Sequence, residues 1–344
     1  MSAVSIAGES PDALRRRLIG LSPAVAAIAY PFLLQAFHAA VSPPDDMASP
    51  VRIVGAAVLL ALAFAMPLSG LAFAAWQTRA AVPDLRARRL AYASIAAPPL
   101  FVFIGVAPGL VGIHLPDIAI WIAIWLAAAL AVWFGPGAVA SERPVRSIAG
   151  WRIAHGVCAA LIACFVLFHL TNHLFGLAGP ATHAAIMKAG RTIYRAPFVE
   201  PVLVLLLFFQ VASGVRLAWR WSSLRTDAYR IFQIGSGAYL SGFILAHLNS
   251  ALLSARTVHK IDTNWAWAAG LPGGLIHDAW NIRLLPHYAL GVFFILGHLA
   301  SGLRVVMLAH GVRKTVADRV WLMGLAGGAA ISVAIVSALC GARL

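Results

Sequence analysis

Nine long apolar runs constrain this 344-residue chain more than any other feature. They cover roughly 18–41, 51–77, 90–112, 116–140, 151–176, 197–219, 231–255, 285–309 and 318–340. About 20 apolar residues, rising 1.5 Å each as a helix, match the ~30 Å hydrocarbon core of a bilayer. In that medium a backbone satisfies its own N–H and C=O groups only as helices or as a closed barrel. The runs lack the two-residue alternation of barrel strands. The predicted class is therefore all-α, a polytopic membrane bundle of about nine helices. Composition agrees: 11% of residues are charged, where soluble domains carry about 25%. The first run is too long, and too poor in cleavage-site features, to read as a secretory signal.

Charge sets the orientation. Arg15, Arg16 and Arg17 precede the first run, and Arg79, Arg86, Arg88 and Arg89 follow the second. Arg143, Arg146 and Arg152 lie between runs four and five, Arg220, Arg225 and Arg230 between six and seven, and Arg313, Lys314 and Arg319 between eight and nine. Every second loop is thus arginine-rich, with Lys188, Arg191 and Arg195 a local exception. The positive-inside rule places the rich loops and the N-terminus in the cytoplasm and Leu344 outside. A bacterial inner membrane is the expected location. The net charge of +14 is mostly topology, and with no soluble basic domain, no nucleic-acid partner is expected. Cys158, Cys164 and Cys340 form no CxxC pair and read as small packing residues.

Polar intramembrane residues are concentrated in the second half. Residues 1–140 hold four runs with little chemistry; His38 and His114 sit near run ends, where histidine is interfacial. Residues 150–344 hold five runs, with 141–150 as the junction. Here FVLFHLTN (Phe165–Asn172) recurs as FILAHLNS (Phe243–Ser250) and FILGHLAS (Phe294–Ser301). His169 and His247 each lie 17 residues beyond an arginine, Arg152 and Arg230. Both therefore sit about 25 Å above the cytoplasmic edge. Run six ends QVASGVR (Gln210–Arg216) and run eight HLASGLR (His298–Arg304), so Gln210 and His298 also share a depth. The pair of runs five and six reads as a copy of seven and eight.

Polar groups at membrane depth are costly and usually functional. Two histidines facing each other across a bundle suit a haem iron with both axial positions filled. Neutral imidazole ligates iron without carrying charge into hydrocarbon. Ser236, Gly237, Ser241 and Gly242 on run seven, and Gly156, Ala159, Ala160 and Ala163 on run five, offer flat space beside such ligands. Small residues also serve plain helix packing.

These motifs resemble a family. RIAHG…FVLFHLTNHLF (Arg152–Phe175), HAAIMKAGRTIYRAPFVEP (His183–Pro201), QIGSG…FILAHL (Gln233–Leu248) and HLASGLR are similar to the single-chain, five-helix, two-haem cytochrome b anchors of succinate dehydrogenases and fumarate reductases. The resemblance covers about 195 residues. It implies four ligand positions, at His169 and His247 for the outer haem and at Gln210 and His298 for the inner one. Glutamine is a poor iron ligand, so one haem b is expected, with a second only if His155 replaces Gln210 as partner of His298. The resemblance also implies electron transfer between quinone and flavoprotein and iron–sulfur subunits, which makes this chain a non-catalytic subunit rather than an enzyme by itself.

Quinone is the natural redox partner of a membrane haem. Gln233, Ser236 and Arg152 lie at the inner edge and could meet a quinone carbonyl, or serve as helix caps and charge anchors. Glu200 opens run six near the outer haem depth, where it could pass protons or simply favour a helix N-terminus. Lys188, Arg191 and Arg195 could meet haem propionates. Two other readings stay open: a stand-alone haem or quinone protein, such as a sensor, and a transporter or structural protein that lost the redox role. Reporter fusions after Arg89, Arg225 and Lys314 are expected to report cytoplasm in all three cases, and a periplasmic signal from any one overturns the orientation.

Overall fold

The computed structural model describes residues 11–42, 49–80, 84–135 and 148–344. Among them there is no β-strand, as a backbone surrounded by hydrocarbon requires. The chain is an all-α polytopic membrane bundle. Among the described residues, eight helical segments are long and apolar enough to cross a bilayer. The N-terminal part comprises α1 (Pro11–Gly20), α2 (Ser22–Val41), α3 (Pro50–Arg79), α4 (Leu85–Ile95), α5 (Ala97–Ile104), α6 (Ala107–Leu110) and α7 (Asp117–Phe134). The second part begins with α8 (Ala149–Leu174), α9 (Pro180–Tyr194), α10 (Val199–Trp221) and α11 (Ala228–Leu248). A π-helix (Asn249–Val258), the single turns α12 (Trp265–Ala268) and α13 (Gly274–His277), and the long helices α14 (Leu284–Ala309) and α15 (Lys314–Leu339) complete it.

The run expected at 90–112 is not one continuous helix. It is the pair α4 and α5–α6, bent by 64°. Pro98 and Pro99 explain the break: neither has an N–H to give to the carbonyls of Ser94 and Ile95 four residues back, and their rings crowd the preceding turn. With the bent pair counted as a span, the total is the expected nine. The expected junction at 141–150 lies mostly outside the described residues, as does the end of run four.

The N-terminal helices pack directly on the histidine-bearing ones. One apolar cluster joins Ala74, Tyr92 and Ile95 to Ile234, Tyr239 and Phe294. Another joins Val102 to Ala246, Leu284 and Leu339. Lipid is as apolar as leucine, so such contacts draw on close van der Waals fit rather than on water exclusion. Glycine supplies that fit at α11: a Cβ on Gly242 would stand 3.3 Å from Pro99 Cγ, and one on Gly235 would collide with Leu71 and Ile95. Gly242, expected beside a macrocycle, thus faces α5 instead.

A polar clamp closes the end of the bundle covered by α9, which is outer in the topology above. Arg283, 7% exposed, bonds Asp117 Oδ2 at 2.7 Å. Its guanidinium lies 4.4 Å from the ring centre of Phe101 and 4.7 Å from that of Trp280. One side chain therefore ties α7 and α5 to the start of α14. Arg283→Met is expected to leave the Asp117 carboxylate unpaired and to destabilise the protein by about 1–3 kcal/mol. Thermal unfolding in detergent checks this, and Asp117→Asn, which keeps the stacking, should lose less.

Candidate functional site

Helix α8 carries His155 and His169 fourteen residues apart. That spacing is close to four helical turns and about 21 Å of rise, so both rings leave one face of the helix at two levels. They line a cavity of about 1280 Å³ walled by α8, α10, α11 and α14. At the outer level His169 faces His247 of α11, with ring centres 6.0 Å apart. At the inner level His155 faces His298 of α14, with ring centres 6.4 Å apart.

Each outer ring is oriented by an aromatic one turn back. Phe165 stacks on His169 (5.5 Å, 21°) and Phe243 on His247 (5.7 Å, 8°). The repeated Phe-x-x-x-His spacing is the i,i+4 contact of a helix face. No hydrogen bond reaches the ring nitrogens of either histidine among the described residues, so both lone pairs are available to the cavity. The third repeat differs, because Phe294 turns into the core against Tyr239.

The inner rings are oriented by hydroxyls. The Ser213 hydroxyl donates to Phe209 O at 2.7 Å, so its oxygen accepts the Nδ1–H of His155 at 2.8 Å. Ser236 donates to Gln233 O at 3.2 Å and accepts from His298 Nδ1 at 2.9 Å. This network assigns the proton to Nδ1 in both rings and makes Nε2 the unprotonated nitrogen of each. Gln210, expected opposite His298, instead donates its amide to His155 Nε2 at 3.0 Å. Matching sequence depth does not fix rotation about the bundle: α8, not α10, presents its polar face to α14. The ring facing His298 is therefore that of His155.

The remaining expected residues scatter around the cavity. Arg152 and Gln233 line its inner end, and the Gln233 side-chain oxygen Oε1 accepts from Arg230 Nη1. Ser236 is taken up by His298 and does not line the cavity, whereas Gly156, Ala159, Ala160, Ala163, Gly237 and Ser241 do. At the outer end Glu200 is held in a two-point ion pair with Arg256 of the π-helix. Arg191 bonds Asp262 at 2.9 Å, and Arg195 bonds Thr263 Oγ1 at 2.8 Å. Among the described residues no group of three or more His, Cys, Asp or Glu is placed to hold a bare metal ion. The arrangement offers two opposed imidazole pairs instead.

Sequence reasoning missed three buried imidazoles. His173 lies 4.7 Å from His169, and His183 of α9 lies 5.2 Å from His173. His287 packs 4.5 Å from Phe243. The motif His169-Leu-Thr-Asn-His173 carried the signal, since an i,i+4 pair shares a face. Nothing local pointed to His183, which reaches the site through the fold of α9 back onto α8. No family model, no curated protein and no solved structure matches the chain. The resemblance to cytochrome b anchors therefore rests on the motifs quoted above.

His183 lies outside the spanning segments and is 1% exposed. Burial, aided by the Arg191 guanidinium, pulls its pKa from 6.5 down to about 4. The unfolded chain therefore binds a proton that the folded chain refuses as pH falls from 6.5 to about 4. Stability present above that window is lost through it, by about 3 kcal/mol in full. His183→Leu is expected to flatten this part of the melting temperature against pH, and an unchanged acid slope in that variant contradicts the assignment.

Proposed function

We propose that this protein is a membrane-integral b-type cytochrome that carries single electrons between a redox partner and the quinone pool. His169 with His247 would hold the outer haem, and His155 with His298 the inner one. The observation that carries this reading is the pair of opposed imidazole couples at two levels of one cavity. Two metal–imidazole bonds of about 2 Å, with about 1 Å from each nitrogen to its ring centre, put ring centres roughly 6 Å apart; the two couples stand at 6.0 and 6.4 Å. A cavity of about 1280 Å³ also exceeds the ~300–1,000 Å³ usual for one small ligand.

Bound haem would supply one-electron chemistry within the bilayer. The chain's own residues do the positioning. Ser213 and Ser236 hold the inner rings through Nδ1, which fixes tautomer and raises ligand basicity. Phe165 and Phe243 hold the outer rings by stacking. Gly214 and Gly237 leave room: a Cβ on either would stand 3.3 Å from Cε1 of His155 or His298. Gln210 occupies His155 Nε2 and must turn aside for that nitrogen to ligate. Arg195, beside the ion-paired Arg191 and Arg256, brings positive charge to the outer end, where carboxylates of a cofactor would be met. Flavoprotein and iron–sulfur subunits are the electron partners that the sequence motifs suggest. The bacterial inner membrane, with the N-terminus in the cytoplasm and the C-terminus outside, is the matching location.

The reading differs from the one-haem expectation because His155 fills the place that Gln210 leaves. Purified protein is expected to carry two low-spin b-type haems. His169→Ala or His247→Ala should remove one, and His155→Ala or His298→Ala the other, while Gln210→Ala keeps both. Haem content and absorption spectra check each count. Protein that inserts normally but binds no haem when haem is supplied sinks the whole reading.

A further inference from the structure

The outer end of the cavity holds polar atoms that the protein itself leaves without partners. Asn172, 3% exposed, and His183, 1% exposed, are both buried. Asn172 Nδ2 lies 3.2 Å from His183 Nε2. Yet Asn172 Oδ1, His173 Nδ1 and His183 Nδ1 make no hydrogen bond to the protein. All three residues line the cavity. Buried polar atoms are rarely left unmatched, and a polar recess offering two to four partners is where a protein holds ordered water.

A way in from the surface adjoins them. A groove of about 560 Å³ lies over α9. It shares Met187, Arg191 and Asn264 with the wall of the main cavity. Those three side chains line both spaces. Arg191, tied to Asp262 and to Thr263, and Asn264 give that shared wall a polar part beside Met187. Trp265 packs against His183, with ring centres 4.7 Å apart.

We propose that Asn172, His173 and His183 line a hydrated port that joins the cavity, at the level of His169 and His247, to the aqueous phase at the α9 end. Water and protons reach the middle of the bundle from that side through it. The proposal follows from the unmatched polar atoms and the adjoining groove, and it holds whatever the imidazole pairs bind. It assigns a use to the imidazoles of His173 and His183, which the haem reading does not employ.

Hydroxyl-radical footprinting by X-ray radiolysis of the full-length protein in lipid nanodiscs tests it. The radicals arise from water, so a buried side chain is modified quickly only where water stands beside it. His183 and Trp265, 1% and 4% exposed, should be modified severalfold faster than Trp121, 0% exposed and packed in the N-terminal core. The double variant Asn172→Leu with His183→Leu removes two of the orphaned partners and should slow modification of Trp265 to the Trp121 rate. Modification of His183 and Trp265 as slow as that of Trp121 in the unaltered protein overturns the port. Fast modification of Trp265 that persists in the double variant overturns the assignment of these residues to it. The footprint is read from protein with or without haem, so failure of the haem reading and failure of the port are told apart.

Discussion

A polar side chain inside hydrocarbon must have a partner, and in this protein that demand falls on imidazoles set along one helix face. His155 and His169 leave α8 on the same side at two depths, and everything around them can be understood as partnering those two rings. Serine hydroxyls meet the inner level, stacked phenylalanines support the outer one, and α11 and α14 each bring a facing histidine. Two rings at about 6 Å, supported from behind, do not close on each other as apolar side chains would.

The helices that hold this arrangement need a rigid back wall, and the N-terminal spans supply it. Lipid offers no water to exclude, so wall and site can join only through close fit, which is why Gly235 and Gly242 turn toward the N-terminal helices. The bent α4–α5 pair has its own cause in Pro98 and Pro99, and it brings Ala96 and Pro99 against α11. The buried Arg283, shared among Asp117, Phe101 and Trp280, pins the outer end of the same wall. The described N-terminal helices thus have a structural role whatever further role they carry.

The outer end of the site has a different character from the inner one. Inside, each ring nitrogen that points away from the cavity meets a hydroxyl. Outside, His173, His183 and Asn172 keep unmatched atoms, with Trp265 packed against His183. The π-helix directly after His247 belongs to this end: it carries Arg256 to Glu200. Such π-helical stretches are rare and tend to occur at functional sites.

Much of this was legible in the sequence. Run length foretold a polytopic helical bundle, because the bilayer allows few alternatives. Depth was legible as well, since a helix rises 1.5 Å per residue; His169 and His247 sit at one level as counting from Arg152 and Arg230 predicts. What counting could not reach was rotation. Gln210 has the depth to meet His298, yet the helix that turns its polar face toward α14 is α8, so His155 is the ring that meets it. His183 approaches α8 only because α9 folds back across the bundle end, and Gly242 serves packing because α5 lies behind it. Rise along a helix is set locally by hydrogen bonds within the chain, so sequence alone determines it. Which faces meet is set by the mutual packing of several helices, and only the tertiary structure decides that.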